Sequence, residues 1–378
     1  MSKTLQVLAK NIKARRKEFG LTQAELAKRL SYSEKAISKW ECGLGCPPTL
    51  ILPTLAEALG TSVDALFYEE AEHHFFLGID GGGTKTDFAL ANENGTLLCR
   101  IQLGTTNPAD IGLDMTKDLL RRGILESCAE HRFNTISVYA GLAGMTEEIQ
   151  PIIFDFLSKF GFSNVRCGND AQNAVAAALP DIDGVVAIFG TGSIVYRKKE
   201  KSLHRIGGYG FLFGDAGSGF AIGRDSILAA LQYEDGSGGE TMIHSYIKEQ
   251  CGTPTVLSAI DRFYEGGKRE IASYASTAFL AYEHGDRIAE NILTQNINSM
   301  ASLIQSAARP LGDEVDIVLC GGLMHHQKIL LPMLTKALGN DKKYRISVCT
   351  RPLVYGALRL AGLENEITEE SGKEKQKC

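Results

Sequence analysis

Three apolar runs that each end in a glycine-rich bend limit what this chain can fold into. The first is Phe75 to Ile79, which enters Asp80-Gly81-Gly82-Gly83-Thr84-Lys85 and leaves through a second run, Thr86 to Ala91, before a turn at Glu93-Asn94-Gly95. The second is Val185 to Phe189, followed by Gly190-Thr191-Gly192-Ser193 and a returning run, Ile194 to Arg197. The third is Asp316 to Leu319, ending at Gly321-Gly322. Short apolar runs bounded by glycine read as strands. Glycine lets backbone N–H groups come close to phosphate oxygens. The first bend is neither a Walker loop nor a GxGxxG fingerprint, because no GK[ST] and no helix follow it. Singly such bends are weak evidence, since glycine turns between strands are common. Three in this order along one chain form a specific pattern.

Around these bends, residues 75–363 alternate strand and helix patterns, as an α/β fold requires. Asp80 at a strand end can hold Mg²⁺ through water, and Thr84 and Lys85 can donate to phosphate. Asp170 follows a predicted strand (Asn164 to Cys167) and precedes an alanine-rich helix. It suits either a base facing a cleft or a plain cap for residues 171–179. Asp215 lies in a long glycine-rich loop, where it suits a turn or a ligand role. Asn107, before Pro108, has the same two readings.

Residues 1–70 follow a different rule, that of short helices. Leu5, Leu8 and Ile12 repeat at helical spacing. Thr22 with Glu25 three positions on makes a capping box, and Leu26, Ala27 and Leu30 give that helix a buried face. Ser33 can cap a second short helix whose apolar positions are Ile37 and Trp40 and whose outer face carries Glu34, Lys35, Ser38 and Lys39. Two short helices, a tight turn and a polar outer face predict a helix-turn-helix; a helical protein-interaction module is the competing reading. Charge favours the former. The chain carries net −5, yet residues 3–39 hold ten Lys/Arg against three acids. A local basic face on an acidic protein implies one dedicated anionic partner.

Nine cysteines are scattered without a CxxC pair, no apolar signal core opens the chain, and no apolar run reaches bilayer length. We therefore expect a cytoplasmic protein with no membrane partner. Residues 71–75 read as a connector. Residues 364–378 are charged without apolar period and are expected to be a disordered tail.

The motifs resemble known families at both ends. The segments LTQAELA, AISKWE and LAEALGTSVDALF, within residues 5–68, resemble the lambda-repressor/Cro (XRE) type of helix-turn-helix. That resemblance implies a homodimer on the half-sites of a double-stranded DNA operator. Gln23 and the Ser33–Lys39 helix would approach DNA, with Glu34, Lys35 and Ser38 at base edges and Arg15, Lys28 and Lys39 at phosphates. Residues 75–363 resemble the actin/hexokinase superfold and, within it, the BadF/BadG/BcrA/BcrD ATPase family that contains N-acetylglucosamine kinases. DGGGTKT resembles its first phosphate loop, FGTGSIV its second and CGGLM its adenosine loop. GTTNP implies a sugar ligand at Asn107, GNDAQNA a catalytic carboxylate at Asp170, and GGYGFLFGDAGSGFAIG a place for Tyr209 and Asp215 near sugar and metal. The family's mammalian kinases carry Trp where Tyr209 stands, which separates this chain from them. The cluster-binding cysteine motif of the dehydratase activators and the zinc loop of the ROK proteins are both missing from the sequence.

The expectation is an all-α head followed by a two-lobed actin-like (ribonuclease H-like) α/β ATPase. Lobe I would span 75–183 plus 352–363, and lobe II 184–351. The cofactors would be ATP and Mg²⁺. Two functions fit: a DNA-binding regulator that senses an amino sugar such as N-acetylglucosamine and phosphorylates it in some measure, or an active N-acetylhexosamine kinase whose head serves assembly or autoregulation.

Overall fold

The computed structural model describes residues 3–67, 73–129, 131–200 and 202–369. They form two compact units, Met1–His73 and His74–Cys378. The boundary falls inside the expected connector, 71–75; residues 68–72 lie outside the described ones.

Among the described residues the first unit has five α-helices: α1 (Lys3–Glu18), α2 (Gln23–Leu30), α3 (Glu34–Glu41), α4 (Leu52–Ala58) and α5 (Val63–Phe67). The capping box forms as the residue types dictate, with Thr22 Oγ1 accepting from Glu25 N and the Glu25 carboxylate accepting from Thr22 N. Ser33 caps α3 by accepting from Ala36 N at 3.2 Å. Leu8, Ile12, Leu26, Ile37, Trp40 and Leu55 close one small core.

The second unit holds two five-stranded sheets of the same design. In the first, β1 (Phe75–Gly81), β2 (Lys85–Asn92), β3 (Leu97–Gly104), β4 (Ile136–Leu142) and β5 (Asn164–Asn169) lie in the order β3-β2-β1-β4-β5. In the second, β6 (Gly184–Phe189), β7 (Ser193–Lys199), β8 (Ser202–Gly207), β9 (Val315–Cys320) and β10 (Tyr344–Val348) lie in the order β10-β9-β6-β7-β8. Each begins as an antiparallel three-strand meander and then adds two parallel strands beside its first strand. Parallel addition requires crossovers, and helices supply them.

In lobe I the helices are α6 (Pro108–Ile111), α7 (Leu113–Ser127), α8 (Ile149–Ser158) and α9 (Asp170–Ala178). In lobe II they are α10 (Gly219–Glu234), α11 (Met242–Cys251), α12 (Ile260–Ser273), α13 (Ala275–Glu283), α14 (Arg287–Ala308) and α15 (Gln327–Ala337). Leu120, Ile124, Ile153 and Leu157 from α7 and α8 fill one face of the first sheet. The chain then returns: α16 (Val354–Ala361) packs Val354, Tyr355 and Leu358 onto the other face, against Ala89 and Ala91. The approach is close enough that a Cβ on Gly78 would stand 2.8 Å from the α16 backbone. A Cβ on Gly356 would stand 1.9 Å from the carbonyl oxygen of Asn173, so α9 and α16 touch backbone to backbone where the lobes meet. Val175 and Leu179 of α9 also reach Val186 and Val318 of the second sheet. No helix among the described residues is long and apolar enough to cross a membrane.

The tail needs correction at its start. Residues 364–369 are ordered on the β2–β3 turn: Thr368 N donates to Gly95 O, Leu97 N donates to Thr368 O, and Asn365 Nδ2 donates to Glu93 O at 2.7 Å. Polar composition hid this because two of the three bonds are backbone to backbone, which charge patterning does not report. Residues 370–378 lie outside the described residues.

Candidate functional site

Asp80 ends β1 on the central strand of its sheet, and Asp170 opens α9 just after β5, so parallel topology brings both to one edge of lobe I. Across from them, Gly192 and Ser193 open β7 of lobe II. All four line one cavity of about 420 Å³, together with Gly82, Gly144, Asp215 and Lys268. The first two glycine bends therefore share a cleft. The third, Gly321-Gly322, adjoins the second (a Cβ on Gly190 would lie 3.8 Å from Gly322 N) but does not line this cavity. Gly83, Thr84, Lys85 and Thr191 are exposed on the bends; Gly81 is buried beneath them and Gly190 is half-buried. Lys85 Nζ stands 3.7 Å from Asp87 Oδ2.

The cleft carboxylates are held away from their ordinary state. Burial pushes Asp80 up to about 7, the neighbouring charges of Asp170 and Asp87 add to it, and the Asn173 amide, 2.7 Å away, opposes it. Burial also pushes Asp170 up to about 6, against the backbone N–H of Ala171. Among the described residues no cation is ion-paired to either. The capping alternative for Asp170 is taken by its neighbour: Asn169 caps α9, accepting from Ala171 N at 2.9 Å, and Asp170 stands at the first helical position, lining the cleft.

Asp215 is 5 % exposed and adopts φ 58, an uncommon value for a residue with a side chain. Its Oδ1 accepts from Ser193 N at 3.1 Å and its Oδ2 lies 2.6 Å from Lys268 Nζ. Asn107 caps α6 by accepting from Ala109 N and donates to Asp110 Oδ2 at 2.8 Å, beside the cleft residue Gly144, so its turn role is realised at the cleft's rim. Tyr209 is exposed under the Arg205 guanidinium, and the flanking Gly208 and Gly210, not its ring, line the cavity.

Sequence reasoning missed Asn173 and Lys268. Asn173 was visible inside GNDAQNA, but only the fold shows that its Nδ2 reaches Asp80, Ile79 O and Gly141 O. No group of three or more metal-binding side chains occurs among the described residues. Carboxylates sharing one cleft still suit Mg²⁺, a hard cation that keeps waters and is commonly held by one or two carboxylates plus phosphate. A cation would also offset the cost of charging Asp80.

In the first unit, Ser33, Glu34, Lys35 and Lys39 are exposed on α3, and Ser38 is half-buried. Gln23 is half-buried and donates to Glu41 Oε2 at 2.7 Å. Glu41 also receives Arg16, at 2.5 and 3.0 Å, so one of the ten basic residues of the head is spent on a buried ion pair.

Comparison with known proteins matches both units. A family model described as the BadF/BadG/BcrA/BcrD ATPase family matches residues 77–358, and a helix-turn-helix model matches residues 12–66. The chain is 28% identical over 303 residues to an N-acetylmuramic acid/N-acetylglucosamine kinase of Clostridium acetobutylicum, covering 77% of this chain and 99% of that one. It is 29% identical over 285 residues to an N-acetyl-D-glucosamine kinase of Dictyostelium discoideum, covering 70% and 89%. Among solved structures, a candidate N-acetylglucosamine kinase of Chromobacterium violaceum has a TM-score of 0.63 at 20% identity, over 77% of this chain and 99% of that one. A ROK family transcriptional regulator, a homologue of the E. coli MLC protein, has a TM-score of 0.51 at 13% identity over 96% and 99%. At such identities these two establish fold alone.

Proposed function

We propose, from the premise that this chain belongs to the BadF/BadG/BcrA/BcrD ATPase family, that it is a DNA-binding regulator whose kinase-like unit binds ATP and senses an amino sugar. One observation carries the reading: Asp80, Asp170 and the Gly192-Ser193 bend line a single cleft in a chain that also has a helix-turn-helix. The relatives named for acting on N-acetylglucosamine support an N-acetylhexosamine as ligand. The regulator whose fold runs over 96% of this chain supports the pairing of head and sensor.

In this reading the glycine bends receive the nucleotide phosphates through backbone N–H groups, with Thr84, Lys85, Thr191 and the adenosine loop at Gly321-Gly322 completing the nucleotide's contacts. Asp80 and Asp215 are the residues that would hold Mg²⁺, which when bound neutralises phosphate charge. Asn107, Tyr209 and Asp215 take the sugar. Closure of the two lobes, which meet where Val175 and Leu179 pack on Val186 and Val318, excludes water. In the head, Lys35, Lys39, Arg15 and Lys28 bind operator phosphates and base edges with Ser33, Glu34, Ser38 and Gln23, in a homodimer on two half-sites. Sugar and operator affinities are then linked: whatever factor the sugar imposes on DNA binding, DNA imposes on sugar binding.

The active kinase is the second reading, favoured by Asp170, whose pKa near 6 suits a base that takes the proton of an attacking sugar hydroxyl near neutral pH. One experiment tests both. ATP turnover with N-acetylglucosamine is measured in the wild type and in Asp170→Asn, beside an operator gel shift with and without sugar. Sugar-dependent DNA affinity with negligible turnover supports the regulator. Turnover that falls about 10²-fold or more in Asp170→Asn, with sugar-independent DNA binding, supports the kinase.

A further inference from the structure

α12 carries Gly266-Gly267 in its middle. In the fold, Gly267 leaves helical space altogether, at φ 58 and ψ −151. Only glycine takes such a conformation without strain. The break occurs immediately before Lys268, and Lys268 is the residue of α12 that lines the cleft, opposite Asp80 and Asp170. Its Nζ lies 2.6 Å from Asp215 Oδ2, and a Cβ on Gly192 would be 2.8 Å from it, so the ammonium sits on the backbone of the second glycine bend. Its partner is also held unusually, since Asp215 is a non-glycine residue at positive φ. A non-glycine residue held at positive φ beside a cleft is rarely retained for stability alone. Among the described residues that line the cavity, Lys268 is the one cation facing three carboxylates.

We propose that Lys268 binds the terminal phosphate of the nucleotide, leaving Asp215 for the γ-phosphoryl oxygens when ATP enters and returning to it when the cleft empties. This rests on reading the cleft as a nucleotide site. It adds that the site distinguishes nucleoside triphosphate from diphosphate, and that Lys268 supplies the distinction. An ammonium with three donors, already beside the glycine bend, can exchange a carboxylate for a phosphate oxygen by side-chain rotation alone. No bond is made or broken.

The test is calorimetric binding of AMP-PNP and of ADP, each with Mg²⁺, to the full chain. The wild type is expected to bind AMP-PNP about tenfold more tightly than ADP. Lys268→Met is expected to erase that preference while leaving ADP affinity within about twofold, and Lys268→Arg to keep part of it. Equal affinity of the wild type for both nucleotides, or a Lys268→Met variant that keeps the preference or weakens both ligands alike, overturns the assignment of Lys268 while the nucleotide cleft stands. If the wild type binds neither nucleotide, the cleft reading itself falls, and this assignment with it. Removing Lys268 strands a buried carboxylate, so melting temperature is recorded alongside. Where the single variant unfolds, Lys268→Met is made in an Asp215→Asn background and compared with Asp215→Asn alone, and the loss of the AMP-PNP preference between those two decides.

Discussion

The two units treat buried charge in opposite ways. In the head, Glu41 is 6 % exposed and fully answered: Arg16 pairs with both its oxygens and Gln23 donates to one of them. Burial alone would raise its pKa, but the hydrogen bonds from Arg16 and Gln23 and the Arg16 charge together outweigh burial and leave it below the usual carboxylate range. In the second unit, Asp80 has an amide donor but, among the described residues, no ion-paired cation; it stands beside two other carboxylates and is pushed up instead, with Lys85 opposing only from a distance. A buried charge that the fold neutralises belongs to the fold. One left unneutralised at a cleft awaits something the chain does not contain.

The sharpest way to break this contrast is Glu41→Ala. It leaves Arg16, itself 8 % exposed, without its partner and is expected to cost the head about 3 kcal/mol. Trp40, the chain's single tryptophan and a member of the head's core, reports that unfolding in the intact protein by fluorescence during denaturant titration. A loss below about 1 kcal/mol would mean the pair is ornamental, as most exposed pairs are.

Asp80→Asn should act in the reverse sense on the second unit. An Asp whose pKa rises to about 7 on folding binds more protons folded than unfolded between about pH 4 and pH 7. Its charge therefore lowers stability progressively over that window and fully above it. The variant keeps the acceptor for Asn173 and drops the charge. Differential scanning calorimetry should show a gain of about 2–4 °C per kcal/mol regained at pH 8, vanishing at pH 4, while AMP-PNP·Mg²⁺ affinity falls. A lower melting temperature at pH 8 would show that the carboxylate is satisfied after all. Glu41 predicts the opposite slope for the head, since a lowered pKa gives stability that is present above about pH 4 and lost as pH falls through the folded value.

The smallest effect comes from Thr22→Ala. Losing the cap of α2 is expected to cost about 1 kcal/mol by the same tryptophan signal. If that loss exceeded the effect of Glu41→Ala, local capping and not the ion pair would dominate the head.

These residues also mark how far sequence reaches. Thr22, Glu25 and Ser33 were legible because a cap acts on backbone two or three positions away, within one window of sequence. The sheets were legible for the same reason: strand–bend–strand is a local pattern. Arg16 and Glu41 are separated by two turns and a helix, and nothing in either one's neighbourhood names the other. Lys268 was hidden because EGGKRE has a helix's composition, and only the packing of α12 turns its two glycines into a break. Asp215 was found by motif, but its lysine was not. Asn173 shows the same limit from the other side: its motif was quoted for Asp170, while its grip on Asp80 depends on parallel strands that bring α9 back to β1.

The return of α16 to the first sheet has a consequence for how the protein is made. The apolar face around Gly78, Ala89 and Ala91 is among the earliest parts of the second unit to leave the ribosome, yet its cover, Val354 to Ala361, is among the last. At roughly 5–20 residues per second, that face waits many seconds uncovered while lobe II is translated. Lobe I therefore finishes folding only after lobe II has emerged, and the nascent chain carries a sticky surface that chaperones would have reason to guard throughout synthesis.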